Sequence, residues 1–235
     1  GGLGLDPVTT GLVWEELAVG GVGITATLLA APVAPLFLSV LASGRTDLID
    51  RFVRPYCEDT GASRISAWGS SEPNIGSDGS NYHDPGVHHE TKARKEGTEW
   101  VIDGAKSSFV SNGGIADFFL LFCCVDPSKG IPGSGVFLVP YGEGVTRGRA
   151  LDKIGMRALN QAELAFDRVC IPEDYMIMPP GDSYPMMHNA IKTVGNIGVG
   201  YLAVGLLRAA YEEALSYAKE RVQWGRPIFE HEAVA

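Results

Sequence analysis

Cysteine is scarce in this sequence. The four cysteine residues show neither the spacing of a disulfide framework nor that of a zinc site. Cys123 and Cys124 are adjacent within the apolar run Phe118–Val125, a context typical of buried small hydrophobic side chains. The cysteine pattern therefore favours a reducing compartment, and it gives no sign of a metal site.

Positive charge is also in short supply, because 19 Lys and Arg residues stand against 28 Asp and Glu residues and leave a net charge of −9. This balance disfavours a general nucleic-acid surface, so we expect no nucleic-acid partner. The sequence lacks an initiator methionine and a recognisable signal or transit segment, and both of its ends look cut rather than natural. We therefore expect an internal fragment of a longer protein.

Charge is missing altogether from Leu17 to Gly44, a run long enough to suggest a membrane helix. Pro32 and Pro35 interrupt this run, however, and several glycine and threonine residues dilute it. The pattern favours a pair of buried helices that is broken around the two prolines, and we expect no membrane span.

The remaining composition is that of a globular protein, with 45% hydrophobic and 20% charged residues. Helical patterns occupy residues 1–61, where Asp6 is a candidate N-cap before Pro7. Residues 62–180 show short strands separated by glycine and proline, and a helical pattern returns in residues 181–235. We predict an α+β multi-domain fold with a helical segment, a central β-barrel or β-sandwich domain, and a C-terminal helical segment.

Local patterns predict individual elements. A short amphipathic helix should run from Asp47 to Tyr56 and end at Pro55. The strand Thr98–Gly104 should end in an Asp-Gly hairpin turn, and Phe118–Val125 suits a buried strand. A long helix should follow and end at Gly225-Arg226-Pro227, with one face formed by Ala203, Leu207, Ala210, Ala214 and Tyr217.

The stretch from Ser66 to Asp78 is a strand that breaks into a polar turn. Pro73 fixes its own φ, and Gly76 allows the backbone to approach a bulky group closely. Such a turn can present backbone N–H groups to a phosphate or to a flat heteroaromatic ring, although most turns of this composition are only turns.

Together with three later segments, this stretch resembles the acyl-CoA dehydrogenase family. Residues 71–78 resemble its Thr-Glu-Pro-x-x-Gly-Ser-Asp signature, with serine in place of the threonine. Segments at 100–117, 153–172 and 217–228 are similar to the next landmarks of the family, in the same order. The resemblance implies that residues 1–61 are part of an N-terminal helical domain and that the last helix begins a C-terminal one.

The resemblance also implies that FAD is the cofactor. The backbone of Ser70 and the hydroxyl of Ser71 would bond the pyrimidine edge of the flavin, and Ser77 would bond the pyrophosphate. Donors near that edge stabilise the negative charge of a reduced flavin. The implied cofactor-binding residues are Trp68, Ser70, Ser71, Gly76, Ser77, Phe109, Ser111, Arg221, Gln223 and Trp224.

Phe109 would lie against the flavin ring, where the family usually has tryptophan, and Ser111 would approach the N5 and O4 side of the ring. Arg221, Gln223 and Trp224 match positions that reach the FAD of a neighbouring subunit, and an arginine fork suits a pyrophosphate. The alternatives are an ordinary core aromatic with turn serines, and a solvated arginine at the C-terminus of a helix.

The sequence departs from the family pattern in two places. The chain between Gly104 and Asn112 is one residue longer than usual, which leaves the register of residues 107–111 against the ring open. Asn196 stands where the family has an arginine that contacts CoA. The resemblance gives Ser77 and Asn196 as the candidate substrate-binding residues.

The loop Asn81–Glu90 contains three histidines and two acidic residues. This composition suggests a metal site, but no helical or hairpin spacing arranges the side chains for one. We expect a solvated loop and no metal.

The activity implied by the resemblance is α,β-dehydrogenation of an acyl-CoA thioester, with hydride transfer to flavin N5. The implied partners are the acyl-CoA substrate, an electron-transfer flavoprotein and identical subunits in a homotetramer built as a dimer of dimers. The implied location is the bacterial cytoplasm or the mitochondrial matrix. Two alternatives remain open: a flavin monooxygenase of the same fold, and a truncated flavin-fold protein without catalysis.

The resemblance implies that the catalytic base is a glutamate in one of two places, either in the C-terminal helical bundle or near the start of the last long helix. The second place falls closest to Gly195 here, and residues 186–197 contain no carboxylate. We therefore expect no catalytic residue in this chain and a base that follows Ala235.

Overall fold

The first helix begins at a capping aspartate. The computed structural model describes residues 4–234, and in it helix α1 runs Pro7–Ala30. The Asp6 side chain accepts hydrogen bonds from the backbone N–H groups of Val8 and Thr9 at 3.0 and 3.1 Å. The predicted N-cap and the position of Pro7 at the start of the helix are confirmed.

Four shorter helical elements complete this region, and they are α2 Val33–Leu41, α3 Thr46–Leu48, a π-helical turn at Ile49–Val53, and α4 Arg54–Glu58. The break between α1 and α2 falls just before Pro32 and Pro35, as predicted. The predicted helix end at Pro55 is wrong. Pro55 lies in the first turn of α4, where the N–H that proline lacks has no helical partner to lose.

Eight strands within residues 4–234 form one mixed sheet. They are β1 Ser66–Gly69, β2 Lys92–Glu96, β3 Glu99–Ser111, β4 Phe118–Cys124, β5 Ser134–Pro140, β6 Val145–Arg147, β7 Gln161–Pro172 and β8 Met176–Met178. The strand order is β6-β7-β3-β2-β4-β5-β8, and β1 pairs in parallel with β4. The predicted central β domain between helical regions is confirmed as this sheet.

The strand β4 lies in the middle of the core. All seven of its residues are buried, which confirms the buried strand predicted from the apolar run. Its outer neighbour β5 pairs with it in antiparallel register from Phe118↔Pro140 to Cys124↔Ser134. The core therefore holds β1 and the polar turn after it at a fixed position.

The predicted hairpin turn at Asp103-Gly104 is wrong, because β3 continues through it and the turn between β2 and β3 lies at residues 97–98. Gly104 instead follows a β-bulge, in which Asp167 and Arg168 of β7 stand opposite Asp103, and its φ is +138°. A Cβ at this position would lie 2.6 Å from the Cα of Thr91. Asp103 accepts a hydrogen bond from the backbone N–H of Arg168 on β7 at 2.8 Å, so the pairing of β3 with β7 overrides the local turn signal.

The long C-terminal helix α5 runs Tyr184–Glu220, and a hairpin of β9 Val222–Gln223 and β10 Arg226–Pro227 follows it. The predicted helix is confirmed, but it ends before Gly225. The predicted apolar face is exposed rather than buried, since Leu207 is 70% exposed and Tyr217 58% exposed. A stripe with small residues packs against the rest of the chain instead, and it includes Gly198, Leu202 and Gly205.

Helices α1 and α5 touch at glycine residues. A Cβ at Gly205 would lie 2.3 Å from the carbonyl oxygen of Glu15, and one at Gly11 would lie 2.0 Å from the ring of Tyr201. The Arg208 guanidinium adds an ion pair to the Glu15 carboxylate at 2.9 Å. Close backbone approach and the ion pair of Arg208 therefore hold the two helices against each other.

Two helical stretches, Pro7–Leu41 and Tyr184–Glu220, are long and apolar enough to cross a membrane when judged by length and composition alone. The helix pair predicted in residues 17–44 is only partly buried. Ile24 is 61% exposed and Val40 64% exposed, while Ala34 and Leu38 are fully buried. Each helix thus packs one face on the sheet or on its neighbour and leaves an apolar face open.

Candidate functional site

A cleft of about 670 Å³ lies between the helices and the sheet. One wall is apolar and comes from α1, α2 and α5, with Leu29, Val33, Phe37, Ile191 and Leu202 among its side chains. The opposite wall comes from the end of β1 and from β3, and it carries most of the polar groups. The cleft can therefore hold a ligand that is flat and polar on one side and apolar on the other.

The structure brings five predicted cofactor-binding residues together on the polar wall of the cleft. They are Trp68, Ser70, Ser71, Phe109 and Ser111. Asn196, predicted to bind substrate, lines the same cleft from α5. These six residues come from three separate parts of the sequence, and the sheet and α5 hold them around one space.

Strand β3 carries a bulge at this wall, in the segment whose register against the ring the sequence leaves open. Lys106 pairs with Leu164 and Val110 pairs with Ala162, so residues 107–109 stand opposite the single residue Glu163. The bulge turns Phe109 outward, where 51% of its surface is exposed at the cleft. Bulges of this kind re-aim side chains next to binding sites.

Gln161 is a cleft residue that sequence reasoning missed. Its side-chain amide N–H donates to the carbonyl oxygen of Phe109 at 3.1 Å and to the Ser111 hydroxyl at 3.4 Å. The amide therefore holds the bulged end of β3. No local signal marks Gln161, because its role depends on the register between β3 and β7.

Two buried polar atoms of the wall have no partner within the part of the chain that the structure describes. They are the Ser107 hydroxyl oxygen and the Trp68 indole nitrogen. The Ser107 backbone N–H is already used, since it donates to the Ser71 carbonyl oxygen at 3.0 Å. Orphaned buried polar atoms are rare in folded proteins, so a wall with two of them fits a ligand with hydrogen-bonding edges, such as a flavin.

A buried ion pair supports this wall from behind. The Lys106 ammonium lies 2.6 Å from a Glu72 carboxylate oxygen, and both side chains are fully buried. The same ammonium donates to the Phe122 carbonyl oxygen at 2.5 Å and to the Ser70 carbonyl oxygen at 3.4 Å. Glu72 also accepts the backbone N–H of Thr91 at 3.1 Å. The pair therefore ties the polar turn to β3, to β4 and to the start of β2.

The predicted loop Asn81–Glu90 is solvated only in part. His83 is exposed, but His89 is fully buried, and its Nδ1 lies 2.8 Å from the Ser134 hydroxyl. Burial, followed by the charge of Lys106, holds the pKa of His89 well below its usual value, so this imidazole is neutral. Residues 4–234 contain no cluster of three or more side chains suited to a metal ion.

The first turns of α5 hold this loop and the preceding turn. Tyr82 places its hydroxyl 2.7 Å from His188 Nδ1 and donates to Asn189 Oδ1 at 3.1 Å. Burial, with a smaller contribution from Lys192, lowers the pKa of His188 to about 4, so His188 is also neutral near pH 7. Gly76 and Ser77 lie outside the cleft lining and are exposed on the turn just before this contact.

Arg221, Gln223 and Trp224 lie at the far end of α5, and Trp224 is 96% exposed. At about 1.5 Å per residue, the helix separates Asn196 from Arg221 by more than about 35 Å. The structure therefore does not bring these three residues to the cleft of their own chain. This separation is compatible with a role toward a neighbouring subunit, which stays a prediction.

No carboxylate belongs to the cleft lining within the described residues. Gly195, which falls closest to one of the family's two positions for the base, lines the cleft and presents no side chain to it. The location of the catalytic base beyond Ala235 stays a prediction.

Comparison with known proteins identifies the family. Residues 67–169 match the acyl-CoA dehydrogenase middle domain, and residues 190–235 match the acyl-CoA dehydrogenase C-terminal domain. Together these two domains cover more than half of the chain. The chain belongs to the acyl-CoA dehydrogenase family of flavin-dependent oxidoreductases.

Individual relatives agree with this result. The short-chain specific acyl-CoA dehydrogenase of Clostridium acetobutylicum is 32% identical over 100% of this chain and 59% of the relative. The structure of butyryl-CoA dehydrogenase from Megasphaera elsdenii matches with a TM-score of 0.84 and 30% identity, over 99% of this chain and 58% of that one. A chain in a structure of the electron transferring flavoprotein of Acidaminococcus fermentans matches with a TM-score of 0.84 and 29% identity, over 100% and 58%. This chain thus spans a little under three-fifths of the length of these proteins.

Proposed function

We propose that this chain is part of an FAD-dependent acyl-CoA dehydrogenase that introduces a double bond between the α and β carbons of an acyl-CoA thioester. The observation that carries the proposal is the two-sided cleft. Its polar wall gathers five of the ten predicted flavin residues and two orphaned polar atoms, and its apolar wall is formed by helices. Family membership supports the same reading.

The polar wall would bind and orient the cofactor. Ser70 and Ser71 would bond the pyrimidine edge of the flavin, and Phe109 would pack against its ring. Ser111 would approach the N5 and O4 side, held there by the hydrogen bond from Gln161. Bound FAD would supply the hydride acceptor of the reaction, and donors fixed in place before the reaction stabilise the charge that the reduced ring carries.

Ser77 and Gly76 would contact the pyrophosphate from the exposed turn next to the cleft. Arg221, Gln223 and Trp224 would complete the FAD site of a neighbouring subunit in a homotetramer, built as a dimer of dimers. We further propose that electrons leave through an electron-transfer flavoprotein and that the protein works in the bacterial cytoplasm or the mitochondrial matrix. The relative in the flavoprotein structure of Acidaminococcus fermentans is compatible with such a partner.

The apolar wall would exclude water from the acyl chain. Leu29, Val33 and Phe37 line it and present only apolar side chains to the acyl chain. The proton on the α carbon requires a carboxylate within hydrogen-bond reach. Since the described lining contains no carboxylate, we propose that this base comes from outside the chain.

The test is reconstitution with FAD, followed by visible absorbance spectroscopy. We expect the purified chain to retain flavin absorbance after desalting and butyryl-CoA to perturb that spectrum. Ser71→Ala should lower FAD affinity by about 5- to 10-fold, the loss expected for one hydrogen bond, while Ser128→Ala on an exposed turn should not. A chain that holds no flavin contradicts the proposal and favours the non-catalytic alternative. Oxygen consumption with externally reduced flavin would favour the monooxygenase.

A further inference from the structure

The cleft contains a single charged side chain among its described lining residues, and this is Lys192 on α5. Its ammonium donates to the Ser80 hydroxyl at 2.7 Å. It forms no salt bridge with any residue of the described chain. A lysine thus lines the cleft without a carboxylate partner among the described residues.

This arrangement is unusual because charge is expensive to desolvate. A half-buried ammonium next to an apolar wall loses part of its hydration, and one neutral hydroxyl replaces little of it. The neighbouring groups do not neutralise it either. His188 is a neutral imidazole at pH 7, and Asn196, one turn further along α5, is a neutral amide.

The position of the ammonium is also fixed. Ser80 ends the turn Ser77–Ser80, and Tyr82 bonds to His188 and Asn189 on the first turns of α5. These contacts hold the turn against the helix one turn before Lys192. An ammonium held in place at the side of a cleft is arranged to meet an anion of an incoming ligand.

We propose that Lys192 binds an anionic oxygen group of the thioester ligand, either a phosphate of its carrier or a carboxylate on its acyl group. This inference rests on the proposed function, since it names the group of the ligand that one cleft residue recognises. Lys192 acts here as a specificity residue and takes no part in the chemistry.

The test compares three thioesters on the FAD-loaded protein by calorimetry. Butyryl-CoA carries phosphates, the glutaryl thioester of N-acetylcysteamine carries only a carboxylate, and the butyryl thioester of N-acetylcysteamine carries neither. Lys192→Met should weaken binding of one or both anionic ligands by about 10- to 100-fold, the range for a hydrogen bond to a charged group. The same variant should bind the neutral thioester within about twofold of the wild type, and the ligand that loses affinity identifies the anion.

Two further variants control for charge and folding. Lys129→Met removes the same charge from an exposed 3₁₀ turn and should leave all three affinities unchanged. Lys192→Arg keeps the cation and should recover most of the lost affinity. The melting temperature and FAD affinity of Lys192→Met and Lys192→Arg should match those of the wild type.

Several results would overturn the inference. They are equal losses for the neutral and anionic thioesters, unchanged affinities for all three, and a loss confined to FAD, which would assign Lys192 to the cofactor. A wild-type chain that holds FAD but binds none of the thioesters rejects the substrate and this inference together. A wild-type chain without FAD rejects the proposed function itself.

Discussion

Replacing Lys106 with methionine should destabilise the protein by about 3–5 kcal/mol, because it leaves the Glu72 carboxylate buried without its counter-ion. Both side chains are fully buried, and their charged atoms lie 2.6 Å apart. The substitution also removes the ammonium that donates to the Phe122 carbonyl oxygen. An unsatisfied buried acceptor of this kind costs about 1–3 kcal/mol, which places the loss toward the upper end of that range.

The surface offers a matched control. Lys95 pairs with Glu173 at the same distance of 2.6 Å, but their side chains are 47% and 51% exposed. Exposed pairs contribute about 0–1 kcal/mol, so Lys95→Met should destabilise by no more than that. The two variants make the same chemical change at the same separation of charges and differ in burial.

The assay is urea unfolding followed by tryptophan fluorescence, with the free energy of unfolding as the readout. A second variant, Lys106→Met with Glu72→Gln, removes both charges and should recover a large part of the loss, because no unpaired charge stays buried. If Lys106→Met costs no more than Lys95→Met, the buried pair does not stabilise the wall as argued. FAD affinity of Lys106→Met should fall as well, since the ammonium also holds the Ser70 carbonyl at the cleft.

Three further predictions follow from the same geometry. Gly205→Ala should destabilise the protein by about 1–3 kcal/mol in urea unfolding, because the new Cβ would meet the Glu15 carbonyl oxygen. Gly200→Ala is the control on the same helix; its Cβ would meet nothing within 4 Å, and it should stabilise the protein by about 0.5–1 kcal/mol. Gly76→Val should weaken FAD binding in a flavin titration while the melting temperature holds, since no protein atom lies within 4 Å of a Cβ there; unchanged affinity would refute the pyrophosphate placement. The chain with FAD should incorporate no solvent deuterium at the α carbon of an acyl-CoA, as measured by mass spectrometry, and incorporation would place a base inside it.

Much of the fold was predictable because its signals are local. Asp6 before Pro7 marks a helix start in the sequence, and the same atoms form the cap in the structure. The apolar run at 118–125 is buried because strand β4 has neighbours on both edges, which a continuous hydrophobic pattern already indicates. Such features depend on residues that are close in the chain.

Three of the errors share a different cause. Asp103-Gly104 lies opposite a bulge of β7 rather than in a turn because β7, more than fifty residues away, continues the pairing of β3. The face around Leu207 has ideal helical spacing, yet the helix packs through Gly198 and Gly205 because small residues allow α1 to come close. His89 sits in a polar loop by composition but is buried beside Ser134. In each case a contact over a long sequence separation overrides the local pattern.

At the candidate site, too, the motif residues could be predicted from local sequence, whereas the charges depend on long-range contacts. The motif residues Trp68, Ser70, Ser71 and Phe109 could be named in advance, whereas the two lysines next to them could not be told apart by sequence. Lys106 meets a carboxylate 34 residues earlier and becomes part of a neutral pair, while Lys192 meets only a hydroxyl 112 residues earlier and has no carboxylate partner among the described residues. The charge at the cleft is therefore set by contacts over a long sequence separation, which the local pattern does not carry.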